Sequence, residues 1–288
     1  MHALRVSLAA LCLALPFLAG AAAAAAADAP VKASTASPGV SLLPTLLEMP
    51  GLNRKRQIRI YLPPGYASSD KRYPVLYMHD GQNLFDDATS YAGEWKVDET
   101  LDALAKDGKL ELIVVGIDNG QEKRMSELNA WDSPRFGRGE GREYMDFIVK
   151  VLKPLVDHSY RTLPDRANTA VMGSSMGGLI SHYAIAQYPE VFSKAGVFSP
   201  AYWTAPASYE FVLAKPVPKD ARIYMATGED EGDSMVPDVK RMADVVRGTG
   251  HPLDHMVLKI VPRENHNEGF WSRQFGEAVQ WLFAPQAR

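Results

Sequence analysis

The segment Gly173-Ser174-Ser175-Met176-Gly177 fits the pattern G-x-S-x-G with Ser175 at its centre. That spacing suits a serine held on a very tight strand-to-helix turn. The turn strains the backbone and lifts the hydroxyl clear of it, and glycine two positions to either side removes side chains that would collide across the turn. Ser174 is out of register, because Met172 and Met176 stand where it would need glycines. A helix that follows such a turn aims its leading N–H groups and the positive end of its dipole at a developing oxyanion. Ser175 is therefore a candidate nucleophile for acyl transfer.

A serine needs a base to take its proton and an acid to orient that base. After a nucleophile on a strand-to-helix turn, the chain order is serine, then acid, then histidine. Downstream of Ser175 the histidines are His182, His251, His255 and His266. His182 lies within the segment expected to be the next helix, where packing explains it, and His251 and His255 flank Pro252 as turn residues. His266 sits in the polar loop Pro262-Arg263-Glu264-Asn265-His266-Asn267-Glu268, after an apolar run and before an amphipathic one, and is the expected base. For the acid, Glu229-Asp230-Glu231-Gly232-Asp233 carries carboxylates at four of its five positions. A charge run is usually a solvated face, but one member can steady an imidazolium. Glu231 is preferred, with Asp230 and Asp233 as alternatives.

Two preorganised N–H donors would complete the site. One is expected from Met176, just after the serine. The other is expected from Gln82, where His79-Asp80-Gly81-Gln82 lets the chain turn sharply after an apolar run. His79 precedes the serine in the chain and reads as support for that loop.

These residues need a frame that brings them together. Apolar or alternating runs at 57–62, 75–78, 112–117, 170–173, 195–199, 223–226 and Met256–Val261 predict strands. Helical spacing predicts helices over Val97–Lys106, 142–160, 176–188, 235–249 and Glu268–Phe283. Strands alternating with helices imply an α/β fold with a mainly parallel central sheet and helices on both faces. In such sheets ligands bind beyond the carboxyl ends of the strands. Ser175, the 229–233 loop and His266 all fall there.

Composition bounds the rest. The 288 residues are 46 % hydrophobic and 23 % charged with a formal net charge of -3, which suits one folded domain. That charge gives no reason to expect nucleic acid or an anionic membrane as a partner. Arg5, an apolar run and an alanine tract ending before Asp28 are the parts of a secretory signal peptide over residues 1–27. Pro16 and the weakly apolar alanines argue against a stable membrane span. Residues 28–40, rich in Ala, Ser and Pro, read as a flexible lead-in, and 41–288 as the catalytic domain. The only cysteine, Cys12, lies in the leader, so the mature chain would hold no thiol nucleophile and no internal disulfide. No histidine–carboxylate spacing suggests a metal cage.

Taken together, Tyr77-Met78-His79-Asp80-Gly81-Gln82-Asn83-Leu84-Phe85, Trp95 with Val97-Asp98-Glu99, Gly173–Gly178, Gly228–Gly232, and His266-Asn267-Glu268 with Trp271 resemble the putative-esterase (esterase D-like) family of α/β-hydrolases. That family includes enterochelin, feruloyl and acetyl-xylan esterases. The resemblance implies an α/β-hydrolase fold and hydrolysis of a carboxylic ester, small or glycan-linked, without metal or organic cofactor. It also implies substrate-binding positions at Arg124 and Glu127, after Asp118-Asn119-Gly120. Trp203, in the loop Pro200-Ala201-Tyr202-Trp203, is a further candidate as an aromatic wall. The expectation is an exported serine esterase. An acyltransferase with the same triad, or a silent binding protein on the same fold, are the alternatives.

Overall fold

The computed structural model describes residues 32–285. The expected leader lies outside these residues. The strands are β1 (Val40–Leu42), β2 (Leu47–Met49), β3 (Arg54–Arg56), β4 (Ile58–Tyr61), β5 (Val75–His79), β6 (Ile113–Ile117), β7 (Thr169–Ser174), β8 (Lys194–Phe198), β9 (Arg222–Gly228) and β10 (Met256–Val261). The helices are α1 (Val97–Lys106), α2 (Arg124–Glu127), α3 (Gly141–Phe147), α4 (Lys153–Ser159), α5 (Met176–Gln187), α6 (Ala207–Ala214), α7 (Met235–Gly248) and α8 (Glu268–Phe283).

Eight strands form one sheet in the order β1-β4-β6-β5-β7-β8-β9-β10. β1 and β4 run antiparallel at one edge, and β6 through β10 are mutually parallel. β2 and β3 pair separately as a short ribbon. Every residue of β5, β6 and β7 is buried, as the continuous apolar runs require of strands covered on both faces. Their side chains alternate between two cores. Val75, Tyr77, Val115 and Val171 face Tyr144, Leu179, Ile180 and Met242. Leu76, Met78, Val114 and Met172 face Leu101, Phe270, Phe275 and Val279. Helix α5 is buried continuously from Met176 to Ala186, so it shows no polar stripe.

Three features differ from the periodicity. The helix expected over 142–160 is two helices, α3 and α4, joined by a widened π turn at Ile148–Leu152. Pro154, near the start of α4, has no N–H to return to the carbonyl one turn back, so the ladder widens there. Strands β1 to β3 and helix α6 escaped notice, the strands because three residues carry too little alternation to read. The stretch read as a flexible lead-in is fastened from residue 32 onward, where Lys32 Nζ pairs with Asp87 at 3.0 Å. Ser34 Oγ donates to Asp86 at 2.7 Å, Thr35 Oγ1 to Glu94 at 3.0 Å, and Ser37 N to Asp98 at 2.6 Å. Composition carries no trace of partners some fifty positions away. Asp98 is wholly buried in this contact, and burial pushes its carboxyl up to about 7.

Among the described residues, no helix is long and apolar enough to cross a membrane, and no cluster of His, Cys, Asp and Glu is arranged to hold a metal ion.

Candidate active site

Strand register aligns the carboxyl ends of four neighbouring strands. Ser174 of β7 pairs with Phe198 of β8, Phe198 with Ala226 of β9, and Gly228 of β9 with Val261 of β10. The next turns carry Ser175, Ser199, Glu231 and His266 in that spatial order. Residues far apart in the chain thereby reach one edge of the sheet.

Ser175 joins β7 to α5 with φ 57° and ψ −118°. This is a rare conformation for a residue with a Cβ and marks stored strain. It is held in place because Ser175 N donates to Phe198 O at 2.9 Å and its own carbonyl accepts from Leu179 and Ala201 at 3.0 Å. Gly173 has the expected cause, whereas a Cβ on Gly177 would meet His79 Cβ at 3.3 Å rather than the strand backbone. A Cβ on Gly173 would lie 2.8–2.9 Å from the backbone of Gly177, so neither strand nor helix could close the turn with a larger residue.

His266 Nδ1 lies 2.7 Å from Glu231 Oε2. Glu231 is enclosed, its side chain 0 % exposed, while that of His266 is 38 % exposed. The other carboxylate oxygen, Oε1, accepts from Gly228 N and from Ser199 Oγ, each at 2.6 Å. Trp271 Nε1 in turn donates to Ser199 Oγ at 2.9 Å, and its ring stands edge-on to the His266 imidazole at 5.0 Å and 88°. Of the acidic residues in the loop, Glu231 alone reaches the imidazole, since the side chains of Asp230 and Asp233 point to solvent. Ser199 was missed in the sequence, because one serine at the end of an apolar run carries no distinguishing pattern.

Ser175 and His266 line one cleft of about 620 Å³ together with His79, Gln82, Arg124 and Trp271. Among the described residues no hydrogen bond joins Ser175 Oγ to the imidazole, although both side chains line the cleft. Met176 begins α5, and Gln82 sits in a 3₁₀ turn over Gly81–Asn83, so both lie where leading N–H groups have no partner inside the helix. The Gln82 side chain is pinned because its Oε1 accepts from Asn119 N at 2.9 Å. Gly81 is pressed against β6: a Cβ there would lie 2.6 Å from Asp118 Oδ1.

Arg124 lines the cleft, where its guanidinium grips Asp80 in a two-pronged pair at 2.6 and 2.9 Å. Burial works to raise the Asp80 carboxyl, but the charge and hydrogen bonds of Arg124, with Asn119 Nδ2 at 2.7 Å, hold it below its ordinary value. Glu127 is placed elsewhere. It is 1 % exposed, bridges Arg54 and Arg56, and is not among the residues lining the cleft. Trp203 also stands outside the lining, packed edge-on against Phe136 beneath the Arg135 guanidinium.

His79 is buried, its Nδ1 2.8 Å from Tyr144 Oη, and burial lowers its pKa to about 4. A neutral imidazole bonded to a buried phenol fits loop support. His182 is likewise buried against Tyr202 and lowered to about 4. Glu268, two residues after His266, lines the cleft, and burial raises its carboxyl above its ordinary value despite a hydrogen bond from its own backbone.

Residues 50–282 match the sequence profile of the family described as "Putative esterase". The chain is 28 % identical over 242 residues to "Uncharacterized protein YbbA" of Bacillus subtilis (strain 168), covering 79 % of this chain and 92 % of that one. It is 29 % identical over 144 residues to an endo-1,4-beta-xylanase/feruloyl esterase of Xylanibacter ruminicola, covering 49 % of this chain but only 19 % of that longer protein. Among solved structures, the enterobactin esterase FES from Shigella flexneri superposes with a TM-score of 0.71 at 19 % identity, over 87 % of this chain and 61 % of that one. The feruloyl esterase module from Clostridium thermocellum superposes with a TM-score of 0.65 at 17 % identity, over 88 % and 92 %. At these identities the structural likeness is one of fold. The chain has the α/β-hydrolase fold.

Proposed function

We propose that this chain, which belongs to the "Putative esterase" family, hydrolyses a carboxylic ester by two-step acyl transfer through Ser175. The observation that carries the reading is the His266–Glu231 pair at 2.7 Å, set in the same cleft as a serine on a strained strand-to-helix turn.

In the first step Ser175 Oγ attacks the ester carbonyl carbon while His266 Nε2 takes its proton, and the carbonyl π electrons move to oxygen. The N–H groups of Met176 and Gln82 receive that oxyanion. Glu231 accepts from Nδ1–H and stabilises the imidazolium. When the oxyanion collapses, the bond to the alcohol oxygen breaks and His266 returns the proton to the leaving alcohol. Water then repeats the sequence on the acyl-enzyme, with His266 as base, and releases the acid and free Ser175. The cleft wall mixes aromatic rings (Tyr91, Trp95, Trp271) with amides and hydroxyls (Asn83, Ser90, Gln121), which suits an acyl or alcohol group bearing rings and hydroxyls, including one on a glycan. The leader read over residues 1–27 would place the enzyme outside the cytoplasm, and a mature N-terminus at Asp28 found by mass spectrometry of the exported protein would support this.

The test is Ser175→Ala assayed on p-nitrophenyl acetate. The expected loss in kcat is about 10⁴-fold or more, with the fold unchanged by circular dichroism. Undiminished turnover would overturn the proposal, as would failure of a fluorophosphonate probe to label Ser175 in the native protein.

A further inference from the structure

The Glu231 carboxylate has two oxygens, and the structure spends them differently. Oε2 meets His266. Oε1 is occupied by Gly228 N and by the Ser199 hydroxyl, each at 2.6 Å. Ser199 has one proton and two lone pairs to offer, and an indole N–H can only donate. Because Trp271 Nε1 donates into Ser199 Oγ at 2.9 Å, it fills an acceptor site of the hydroxyl and leaves its proton directed at Glu231. The hydrogen bonds therefore have a fixed polarity that converges on the carboxylate: Trp271 donates to Ser199 and Ser199 to Glu231 Oε1, while the imidazole Nδ1–H donates to Oε2 from the other side.

The parts of this line are built with care. Ser199 is wholly buried and held at φ 41°, a left-handed conformation uncommon for serine, with its N–H donating to Ala226 O at 2.7 Å. Strain of this kind persists only where the surroundings impose it. Trp271 is 4 % exposed, wedged against Trp95 at 5.8 Å between ring centres, and the same indole abuts the His266 ring. One side chain thus touches the imidazole directly and its acid through a single hydroxyl.

We propose that the Ser199 hydroxyl and the Trp271 N–H are positioning groups that lock the Glu231 carboxylate in the one rotation that presents Oε2 to His266, an effect on catalysis exerted through that carboxylate and separate from the contact of the Trp271 ring with the imidazole. The inference rests on the triad reading above. A carboxylate on a flexible loop would otherwise turn about its last bond and offer either oxygen in changing directions. With Oε1 held by two donors, that rotation is closed, and the orientation of His266 follows.

The experiment is a double-mutant cycle on the full chain, with p-nitrophenyl acetate as substrate. Ser199→Ala is expected to lower kcat about tenfold with KM changed less than twofold, and to lower it no further in a Glu231→Gln background, since two residues acting through one group couple rather than add. Trp271→Phe keeps the ring beside His266 but removes the N–H. It is expected to lower kcat about threefold in the native background and not at all in Ser199→Ala, which also serves should Ser199→Ala fold poorly. Equal losses with and without Glu231 would mark a merely structural role and overturn the proposal, as would wild-type kcat in both single variants. If Glu231→Gln itself keeps full activity, the triad reading fails and this inference fails with it. If Glu231→Gln is crippled while the cycle is additive, the triad stands and only the positioning role is lost.

Discussion

Glu231 and His266 are separated by 35 positions in the chain and by 2.7 Å between carboxylate oxygen and imidazole nitrogen. They meet because β9 and β10 pair in parallel with Gly228 opposite Val261, which starts both loops at the same height. Glu231→Gln is expected to lower kcat about 10³- to 10⁴-fold, since an amide cannot stabilise the imidazolium and can hold the wrong tautomer. Asp230→Asn and Asp233→Asn should each stay within twofold of wild type. Steady-state kinetics on the three purified variants checks this. A loss centred on Asp230 or Asp233 would move the acid to that residue.

Asp80 and Arg124 form a pair whose carboxylate is buried and whose guanidinium keeps about a quarter of its side chain exposed. Arg124→Met would leave a buried carboxylate with only Asn119 as a side-chain partner. The expected cost is about 2–3 kcal/mol, at or below the lower end for breaking a buried pair because the arginine is partly solvated. Asp80→Asn added to Arg124→Met should recover part of it, because the charge that lost its partner is gone. Urea unfolding of the single and double variants measures both numbers.

Asp98 titrates near 7 in the folded chain, raised above its unfolded value chiefly by burial. Between the two values the folded state holds more protons than the unfolded one, so stability falls as pH rises across that window. The contribution is fully present below about pH 4, the unfolded carboxylate range, and is lost as pH passes 7. Asp98→Asn keeps an acceptor for Ser37 N and removes the titration. Its Tm should exceed wild type by about 5 °C at pH 8 and match it near pH 4. A gain that is the same at both pH values would dissociate the effect from ionisation.

Glu268 is the carboxylate of the cleft that no cation neutralises by direct contact, whereas Asp80 is paired with Arg124. An ester carrying its own carboxylate near the scissile bond should therefore be a poor substrate beside its neutral isostere. Glu268→Gln is expected to raise kcat/KM on the anionic ester about three- to tenfold and leave the neutral ester within twofold. The gain should shrink as salt is raised, because a partly exposed charge is screened. Paired assays on the monomethyl ester of a dicarboxylic acid and on the same ester with its free carboxyl converted to a neutral amide would show whether charge sets this preference.

Much of the frame was legible because its causes are local. Val75–His79, Ile113–Ile117 and Thr169–Ser174 are continuous apolar runs, and a strand covered on both faces has no other way to look. Gly173-x-Ser175-x-Gly177 announced a tight turn because at Gly173, where the strand backbone touches that of the helix, only glycine fits. His266 could be placed by its position between a strand and an amphipathic helix. These are constraints that neighbours in the chain impose on one another.

The rest was settled by contacts between distant segments. Four carboxylates at 229–233 are alike in sequence, and only the reach of Glu231 beneath His266, with Ser199 and Gly228 on its other oxygen, separates it from Asp230 and Asp233. Glu127 and Trp203 sit at suggestive positions in the chain, yet Glu127 is drawn to Arg54 and Arg56 and Trp203 to Phe136. Residues 34–37 look loose until Asp86, Glu94 and Asp98 are brought over them. A side chain's type states which partners it can take. Only the packed chain decides which partner arrives, because hydrogen bonds and ion pairs depend on a few ångströms that no local pattern specifies.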